Sequence, residues 1–317
     1  MTRPGAGALL ALVLGAAAPV VCAQAPEAPA SAPPLFTPKG ADTCLKCHDE
    51  DSKYPVVDIF KTPHGQKADA RTPFAQGAAQ CESCHGPGAE HARKKKVDEP
   101  QGPIGTFGMR ATTPPEVQDG ACLKCHAGGE RHAWAGSAHD TAGVPCAACH
   151  TVHAAADPVR ALASQAEVCG TCHARERAAS FGAFAHPLRD RRMGCTDCHA
   201  PHGSSGDALL AKGSVNDTCY TCHADKRGPF LWEHAPAAED CSLCHASHGA
   251  PHRAMLVQRP PLLCQGCHAQ AGHPSLALGP GNLPSGSPSA FLLGNSCTNC
   301  HSQVHGSNHP SGADLGR

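Results

Sequence analysis

Cysteines and histidines, 21 and 23 of the 317 residues, carry most of the chemistry that this chain can perform. Every cysteine except Cys22 belongs to one string, C-x-x-C-H, which occurs ten times in complete form. We number these strings motif 1 to motif 10 in chain order. Two thiols three residues apart, followed directly by an imidazole, fit one helical turn and can reach one prosthetic group. The motif cysteines are Cys44, Cys47, Cys81, Cys84, Cys122, Cys125, Cys146, Cys149, Cys169, Cys172, Cys195, Cys198, Cys219, Cys222, Cys241, Cys244, Cys264, Cys267, Cys297 and Cys300.

C-x-x-C-H is the attachment signature of c-type haem. The two thiols add to the vinyl groups of one porphyrin edge, and the imidazole reaches the iron from one face. Zinc ribbons, redox thiol pairs and disulfides are the alternatives for a single string, but ten complete copies favour haem. We therefore predict ten covalently attached haems c. Their first axial ligands are His48, His85, His126, His150, His173, His199, His223, His245, His268 and His301.

Thirteen histidines remain outside the motifs, which is an excess close to the number of haems. Methionine is the rival sixth ligand of haem iron, but the chain after the N-terminal segment offers only Met109, Met193 and Met255. We therefore predict two histidine ligands for each iron. The predicted distal ligands are His64, His91, His139, His153, His186, His202, His234, His248, His273 and His305. We interpret His132, His252 and His309 as surface or supporting residues, with His309 as an alternative to His305.

The distal histidines follow an alternating pattern. After each even-numbered motif a histidine follows almost at once, whereas after motifs 1, 3, 5 and 7 it comes 16, 13, 13 and 11 residues beyond the motif histidine. His273 departs from this pattern, because it lies only 5 residues beyond the histidine of motif 9. The chain therefore divides into five two-haem units, which we number unit 1 to unit 5. The three central units begin at Cys122, Cys169 and Cys219, and such spacing is typical of one structural unit that is stacked along an axis.

Composition indicates how such a chain folds. Aromatic residues make up only 4% of the chain, while glycine and proline together contribute 62 residues and interrupt nearly every interval. A normal apolar core is therefore excluded, and the porphyrins must supply the interior. The predicted fold is a multihaem cytochrome c, an elongated rod of short helices and loops wrapped round a chain of haems, with little or no sheet. We expect the motifs to open short helices and place the decahaem domain at residues 41–313.

The N-terminal residues are typical of an export signal. A basic residue, Arg3, is followed by an uncharged run rich in alanine and leucine, with small residues suited to cleavage after Ala23. We predict a signal peptide at residues 1–23; an uncleaved anchor and a lipoprotein Cys22 are the alternatives. Residues 24–40, rich in alanine and proline, are predicted to be a disordered linker. The net charge of −1 gives no support for nucleic-acid binding.

The motifs and their flanks resemble those of the exported decahaem cytochromes of the MtrA/DmsE type. The strings that carry the resemblance are KTPHG at residues 61–65, CESCHGPG at 81–88, CTDCHAPHG at 195–203 and CTNCH at 297–301, which leads to HGSNHP at 305–310. The resemblance covers essentially all of residues 41–313, and the count of ten motifs makes it more specific than a single C-x-x-C-H string.

The resemblance implies an electron carrier rather than an enzyme. It implies a periplasmic protein associated with the outer membrane, inserted in a β-barrel porin. Its expected partners are an inner-membrane or periplasmic cytochrome donor and a cell-surface multihaem cytochrome or extracellular reductase. It does not fix the direction of electron flow.

Two other functions stay open. A soluble periplasmic shuttle would use the same haems without a barrel. A multihaem reductase would need an iron with an open position, often at a motif that ends in lysine, whereas all ten motifs here end in histidine.

Overall fold

The computed structural model describes residues 35–53, 56–75, 79–93, 99–268, 297–299, 301–310 and 312. All of them belong to one compact unit, Leu35–Arg317. The predicted signal peptide, most of the predicted linker, His273 and Cys300 lie outside the described residues.

Short helices joined by turns make up the regular structure of the described residues. The α-helices are α1 Ala41–Cys44, α2 Glu82–His85, α3 Ala89–Ala92, α4 Pro115–His126, α5 Ala138–Thr141, α6 Leu162–Gly170, α7 Ala174–Ala179, α8 Val215–Tyr220, α9 Ala235–Glu239 and α10 Leu262–Gln265. Single turns of 3-10 helix lie between them, at Val57–Lys61, Pro63–Gly65, Gly129–Ala133, Cys146–Ala148, Pro158–Arg160, Cys195–Asp197, Asp207–Leu209, Ala224–Lys226, Cys241–Leu243, Arg253–Met255 and Cys297–Asn299. None of the described helices has the length and apolar character needed to cross a bilayer.

The two motifs of a unit differ in how they use these helices. Motifs 4, 6, 8 and 10 open 3-10 turns, as predicted. The odd-numbered motifs instead lie at the C-terminal ends of α1, α4, α6, α8 and α10, so the prediction that every motif opens a helix was wrong. The sequence before each motif explains the difference. Helix-forming residues precede motifs 3 and 5, whereas Pro145 and Gly194 stand directly before motifs 4 and 6.

Pairing between extended segments is limited to isolated antiparallel bridges in the described residues, namely Phe184 with Ala250, His199 with Leu210, Trp232 with Ser307 and His245 with Leu256. The predicted fold class, short helices with little or no sheet, is confirmed. The elongated shape stays a prediction.

Few apolar side chains are buried in the part of the chain that the structure describes. They are Ala41, Phe74, Trp134, Pro145 and Ala250. Large apolar residues such as Leu231, Phe181 and Leu243 are more than half exposed. Side chains alone therefore do not form a core here, as the composition indicated, and a further apolar component is needed.

The contacts of the compact unit begin before the predicted boundary at residue 41. Glu82, which is only 3% exposed, accepts hydrogen bonds from the backbone N–H of Thr37 at 3.0 Å and from its hydroxyl at 2.8 Å. The N–H of Ala89 donates to the carbonyl of Leu35 at 3.2 Å. Residues 35–40 therefore do not match the disordered linker predicted there. The N–H and hydroxyl of Thr37 supply hydrogen bonds that the buried Glu82 carboxylate needs.

Glycines permit close approach between successive units. Gly203, Gly249 and Gly306 each follow a predicted distal histidine and have φ of 118°, 135° and 131°. A Cβ on Gly203 would clash with the Ala133 carbonyl oxygen, and one on Gly249 would clash with that of Ala179. The backbone of one unit thus lies directly against the backbone of the preceding unit, and only glycine fits at the contact.

We expect Gly249→Ala to lower the free energy of unfolding by about 1–3 kcal/mol, because alanine is strained at this φ and its Cβ meets the Ala179 carbonyl. Denaturant unfolding followed by the haem absorbance would measure the change. Gly120→Ala in α4 is the control, because no atom outside its own helix lies within 4 Å of the new Cβ. Equal midpoints for the two variants would contradict the proposed backbone contact.

Candidate haem-binding sites

The first cysteines of the two motifs in each unit are direct neighbours. A side-chain hydrogen bond joins Cys44 to Cys81 and lowers the pKa of Cys44 to about 7, while it raises the pKa of Cys81. The same interaction joins the first cysteines of the other four units, which are Cys122 and Cys146, Cys169 and Cys195, Cys219 and Cys241, and Cys264 and Cys297. The two prosthetic groups attached to the motifs of one unit must therefore lie close together near these sulfur atoms.

Successive units also meet through their cysteines. Cys149 of motif 4 is within electrostatic reach of Cys172 of motif 5, and Cys244 of motif 8 is within reach of Cys267 of motif 9. Cys84 and Cys198 have similar neighbours in motifs 3 and 7. Motifs that are consecutive in the sequence are thus consecutive in space throughout the described residues.

Each motif is one helical turn that fixes its imidazole relative to its thiols. The backbone N–H of the motif histidine donates to the carbonyl of the first motif cysteine, at 3.0 Å in motif 1 and 2.8 Å in motif 10. This i to i−4 hydrogen bond is the reason that the spacing of the string is suited to one porphyrin.

Nine predicted distal histidines lie opposite motif histidines, with ring centroids 5.9–6.3 Å apart. A metal–imidazole bond is about 2.0 Å and each ring centroid lies roughly 1 Å behind its nitrogen, so two axial imidazoles need centroids about 6 Å apart. The residues therefore fit one metal ion between the rings of each pair. The pairs are His48 with His91, His85 with His153, His126 with His64, His150 with His202, His173 with His139, His199 with His248, His223 with His186, His245 with His305 and His268 with His234.

These pairs are exchanged between neighbouring units. His186 of unit 3 lies opposite His223 of unit 4, while His248 of unit 4 lies opposite His199 of unit 3. The same reciprocal exchange occurs at each of the four boundaries between units. Each unit therefore needs its neighbours to complete its ligands, a relation that the order of histidines in the sequence did not reveal.

Unit 1 differs from the other units, and the three histidines interpreted as surface or supporting residues take part in none of the nine pairs. His91 lies opposite His48 of its own unit, unit 1, rather than opposite a histidine of a neighbouring unit. His305 rather than His309 lies opposite His245. The backbone N–H of His309 donates to the hydroxyl oxygen of Ser307, and its carbonyl accepts from the indole N–H of Trp232. His132 and His252 take part in none of the nine pairs. The Nδ1 atom of His132 hydrogen-bonds the carbonyl of Gly129, which lies three residues earlier in the same 3-10 turn. The role of His273 stays a prediction.

Hydrogen bonds orient many of these rings. The Nδ1 atoms of His139, His186 and His234 bond the carbonyls of Pro201, Ser247 and Val304, each of which directly precedes the distal histidine of the next unit. An Nδ1–H that donates to a carbonyl leaves Nε2 as the ligand atom. In unit 1, Gly105 and Gly102 provide carbonyls for His85 and His91, at 2.7 and 3.0 Å.

Burial favours the neutral form of several distal imidazoles. It lowers the pKa of His153, His202 and His248, and the charge of the motif imidazole opposite each ring lowers it further. Burial also lowers the pKa of His305, with the charge of Lys226 as the next cause. A neutral imidazole is the form that binds a metal, so this environment favours ligation.

Three buried polar residues that the sequence analysis missed hold the two motifs of a unit together. Asp119 accepts from the N–H of Cys146 at 2.7 Å, and Asn216 accepts from the N–H of Cys241 at 2.7 Å. The side-chain oxygen of Gln165 likewise accepts a hydrogen bond from the backbone N–H of Thr196 in motif 6, at 3.2 Å. Each lies three or four residues before the odd-numbered motif of its unit, and that spacing was the signal available in the sequence.

The described residues contain no group of three or more histidine, cysteine or acidic side chains that could hold a metal ion alone. Structural zinc sites take four protein ligands and catalytic zinc sites take three, whereas each of these pairs offers only two imidazoles. Two opposed imidazoles with a thiol pair beside one of them fit an iron whose other four ligands come from a porphyrin.

The chain is similar in sequence to known proteins. A family model described as "Doubled CXXCH motif" matches residues 186–228 and 234–273, and one described as "Cytochrome c-type protein NrfB-like" matches residues 81–168. The chain is 50% identical over 285 residues to "Multiheme cytochrome MtrA" of Shewanella baltica, covering 89% of this chain and 83% of that protein. It is 29% identical over 147 residues to "Cytochrome c-type protein NrfB" of Haemophilus influenzae, covering 42% of this chain and 65% of that protein.

These matches confirm the resemblance that the motifs and their flanks indicated. They also support covalently bound haem c and a role in electron transfer. A relative with this identity over most of both chains, together with the paired motifs, shows that the chain belongs to the MtrA family of multihaem c-type cytochromes.

Proposed function

We propose that this chain binds ten haems c, each iron held by two histidines, and passes electrons along them in motif order. The observation that carries this proposal is the set of nine opposed histidine pairs, spaced for a metal ion and arranged along consecutive motifs. The tenth haem would use His301 and the predicted ligand His273. Bound haem supplies a one-electron iron couple.

The chain's own residues favour fast electron transfer. Motif and distal imidazoles occupy opposite sides of the nine described sites, and hydrogen bonds at Nδ1 hold several of them in place. Ligands that do not change between oxidation states minimise reorganisation. Adjacent cysteine pairs bring the edges of consecutive sites together.

We further propose that the chain is exported by residues 1–23, cleaved after Ala23, and works at the outer membrane inside a β-barrel porin. There it would connect a periplasmic or inner-membrane cytochrome donor to a cell-surface multihaem cytochrome or extracellular reductase. A large barrel has a polar lumen that another chain can fill. A chain with few aromatic residues and a net charge of −1 suits such a lumen.

A soluble periplasmic shuttle is the second candidate, and it would use the same line of haems without a barrel. A multihaem reductase is less well supported. Such an enzyme needs an iron with an open position, whereas in nine sites a histidine stands on either side.

The mass of the purified mature protein tests the haem count and the export signal together. We expect the mass of the chain from Gln24 plus ten haems, without Cys22. A mass that corresponds to fewer haems would contradict the count, and a retained N-terminus would contradict the cleavage.

Sealed liposomes that carry the protein with its co-purified barrel test the conduit. We expect a reductant outside the vesicles to reduce a redox dye that is trapped inside. Vesicles with the barrel alone are the control. Failure to co-purify with any barrel from the native membrane would favour the soluble shuttle instead.

A further inference from the structure

One motif histidine has a hydrogen-bond partner unlike those of its counterparts in units 3 and 4. The Nδ1 atom of His199 bonds the carbonyl of Ala208 at 3.0 Å, and that of His245 bonds the carbonyl of Ala254 at 2.8 Å. His150 is the equivalent residue of unit 2, and its Nδ1 lies 2.7 Å from a carboxylate oxygen of Asp157.

The carboxylate replaces two backbone carbonyls at once. In unit 3 the N–H of Ala200, the residue after the motif histidine, donates to Leu209 at 2.7 Å, and in unit 4 the N–H of Ala246 donates to Met255 at 2.7 Å. In unit 2 the corresponding N–H, that of Thr151, donates to the second carboxylate oxygen of Asp157 at 3.1 Å.

The backbone differs in the same places. Ala208 and Leu209 have φ of 51° and 57°, and Ala254 and Met255 have φ of 56° and 54°. These left-handed residues turn the carbonyls of units 3 and 4 toward the motif histidine. No residue of 151–161, all of which the structure describes, has positive φ. Asp157 thus reproduces the two hydrogen bonds with a side chain and adds a negative charge.

A carboxylate at Nδ1 changes the iron site more than a carbonyl does. It makes the imidazole a stronger electron donor, and its charge favours the more positive oxidation state of the metal. The Asp157 side chain is only 19% exposed and that of His150 34%, so solvent screens this interaction incompletely. Both effects lower the reduction potential.

We propose that Asp157 sets the haem of motif 4 at a lower reduction potential than the equivalent haems of motifs 6 and 8. This inference rests on the proposed electron-transfer function and assigns a tuning role to a residue that is not itself a ligand. Motif 4 is fourth in the order of ten, so the potential step lies within the line of haems. Electrons moving in either direction must pass it.

Redox titration of the complete haem-loaded protein tests the proposal. In Asp157→Asn we expect one haem to shift upward, so that its ferric-to-ferrous ratio at a fixed potential falls about tenfold, equivalent to ~59 mV for one electron. The difference between the titration curves of variant and wild type should amount to one haem. Its electron paramagnetic resonance spectrum should change for the same haem while staying low-spin.

Asp207→Asn is the matched control. Asp207 is an exposed acidic residue in the equivalent segment of unit 3, where the carbonyl of the next residue bonds the motif histidine. We expect no resolved shift in this variant. If Asp157→Asn binds fewer haems than wild type, Asp157→Ser carries the same expectation.

Unchanged or lower potentials in the Asp157 variants, or an equal shift in Asp207→Asn, would overturn the proposal. The measurement needs no barrel. A protein that shows the shift but never associates with a porin would contradict the conduit and leave the role of Asp157 standing.

Discussion

The chain produced without haem attachment is expected to be unfolded. Only five apolar residues are buried in the described part of the structure, and the α-helices there have 4–12 residues. Isolated helices shorter than about 12–15 residues are marginal in water, and ligand binding then supplies the folding free energy. We expect loss of the helical circular dichroism signal and rapid cleavage by added protease.

A variant that lacks one terminal haem provides the comparison. In Cys44→Ala/Cys47→Ala the first motif cannot attach its haem, but the distal ligand of that site, His91, belongs to the same unit. We expect units 3, 4 and 5, whose described histidine pairs do not involve unit 1, to keep their fold and their haems, since repeat units depend mainly on their neighbours. A haem-free chain with the circular dichroism of the loaded protein would show that the polypeptide folds alone.

Replacing a distal histidine is expected to convert exactly one haem to high spin. His202 lies opposite His150, and His248 lies opposite His199, so alanine at either position opens one iron. Electron paramagnetic resonance should show one high-spin signal in each variant and none in the resting wild type. His132→Ala and His252→Ala are the controls, because neither residue takes part in the nine pairs. A high-spin signal in a control, or none in His202→Ala, would contradict the assignment.

A double variant tests whether distal histidines are exchanged between neighbouring units. His186 follows motif 5 in the sequence but lies opposite His223 of motif 7. Removing the motif 7 haem with Cys219→Ala/Cys222→Ala should therefore make His186 dispensable, so that adding His186→Ala creates no new high-spin signal. Ligation within unit 3 would instead give one new signal from the haem of motif 5.

The sequence by itself determined the chemistry of this protein. The geometry of the string C-x-x-C-H is local, because its thiols and imidazole lie on one helical turn and do not depend on the rest of the fold. Its ten copies therefore predicted haem attachment directly. The alternation of histidines predicted two-haem units, and the low aromatic content predicted a chain without an apolar core. Short helices with little sheet followed from the frequent glycines and prolines, and the structure agrees.

Only the tertiary structure decided which histidines face one another. His139 is nearer in sequence to motifs 3 and 4 than to motif 5, yet its ring lies opposite His173. The close contact at Gly203 and the buried bonds of Asp119 and Asn216 join segments far apart in the chain. The structure also shows that the carboxylate of Asp157 bonds His150 where backbone carbonyls bond the equivalent histidines of units 3 and 4. Such pairings depend on how units stack, and periodicity along one chain specifies the units but not the neighbour that completes each of them.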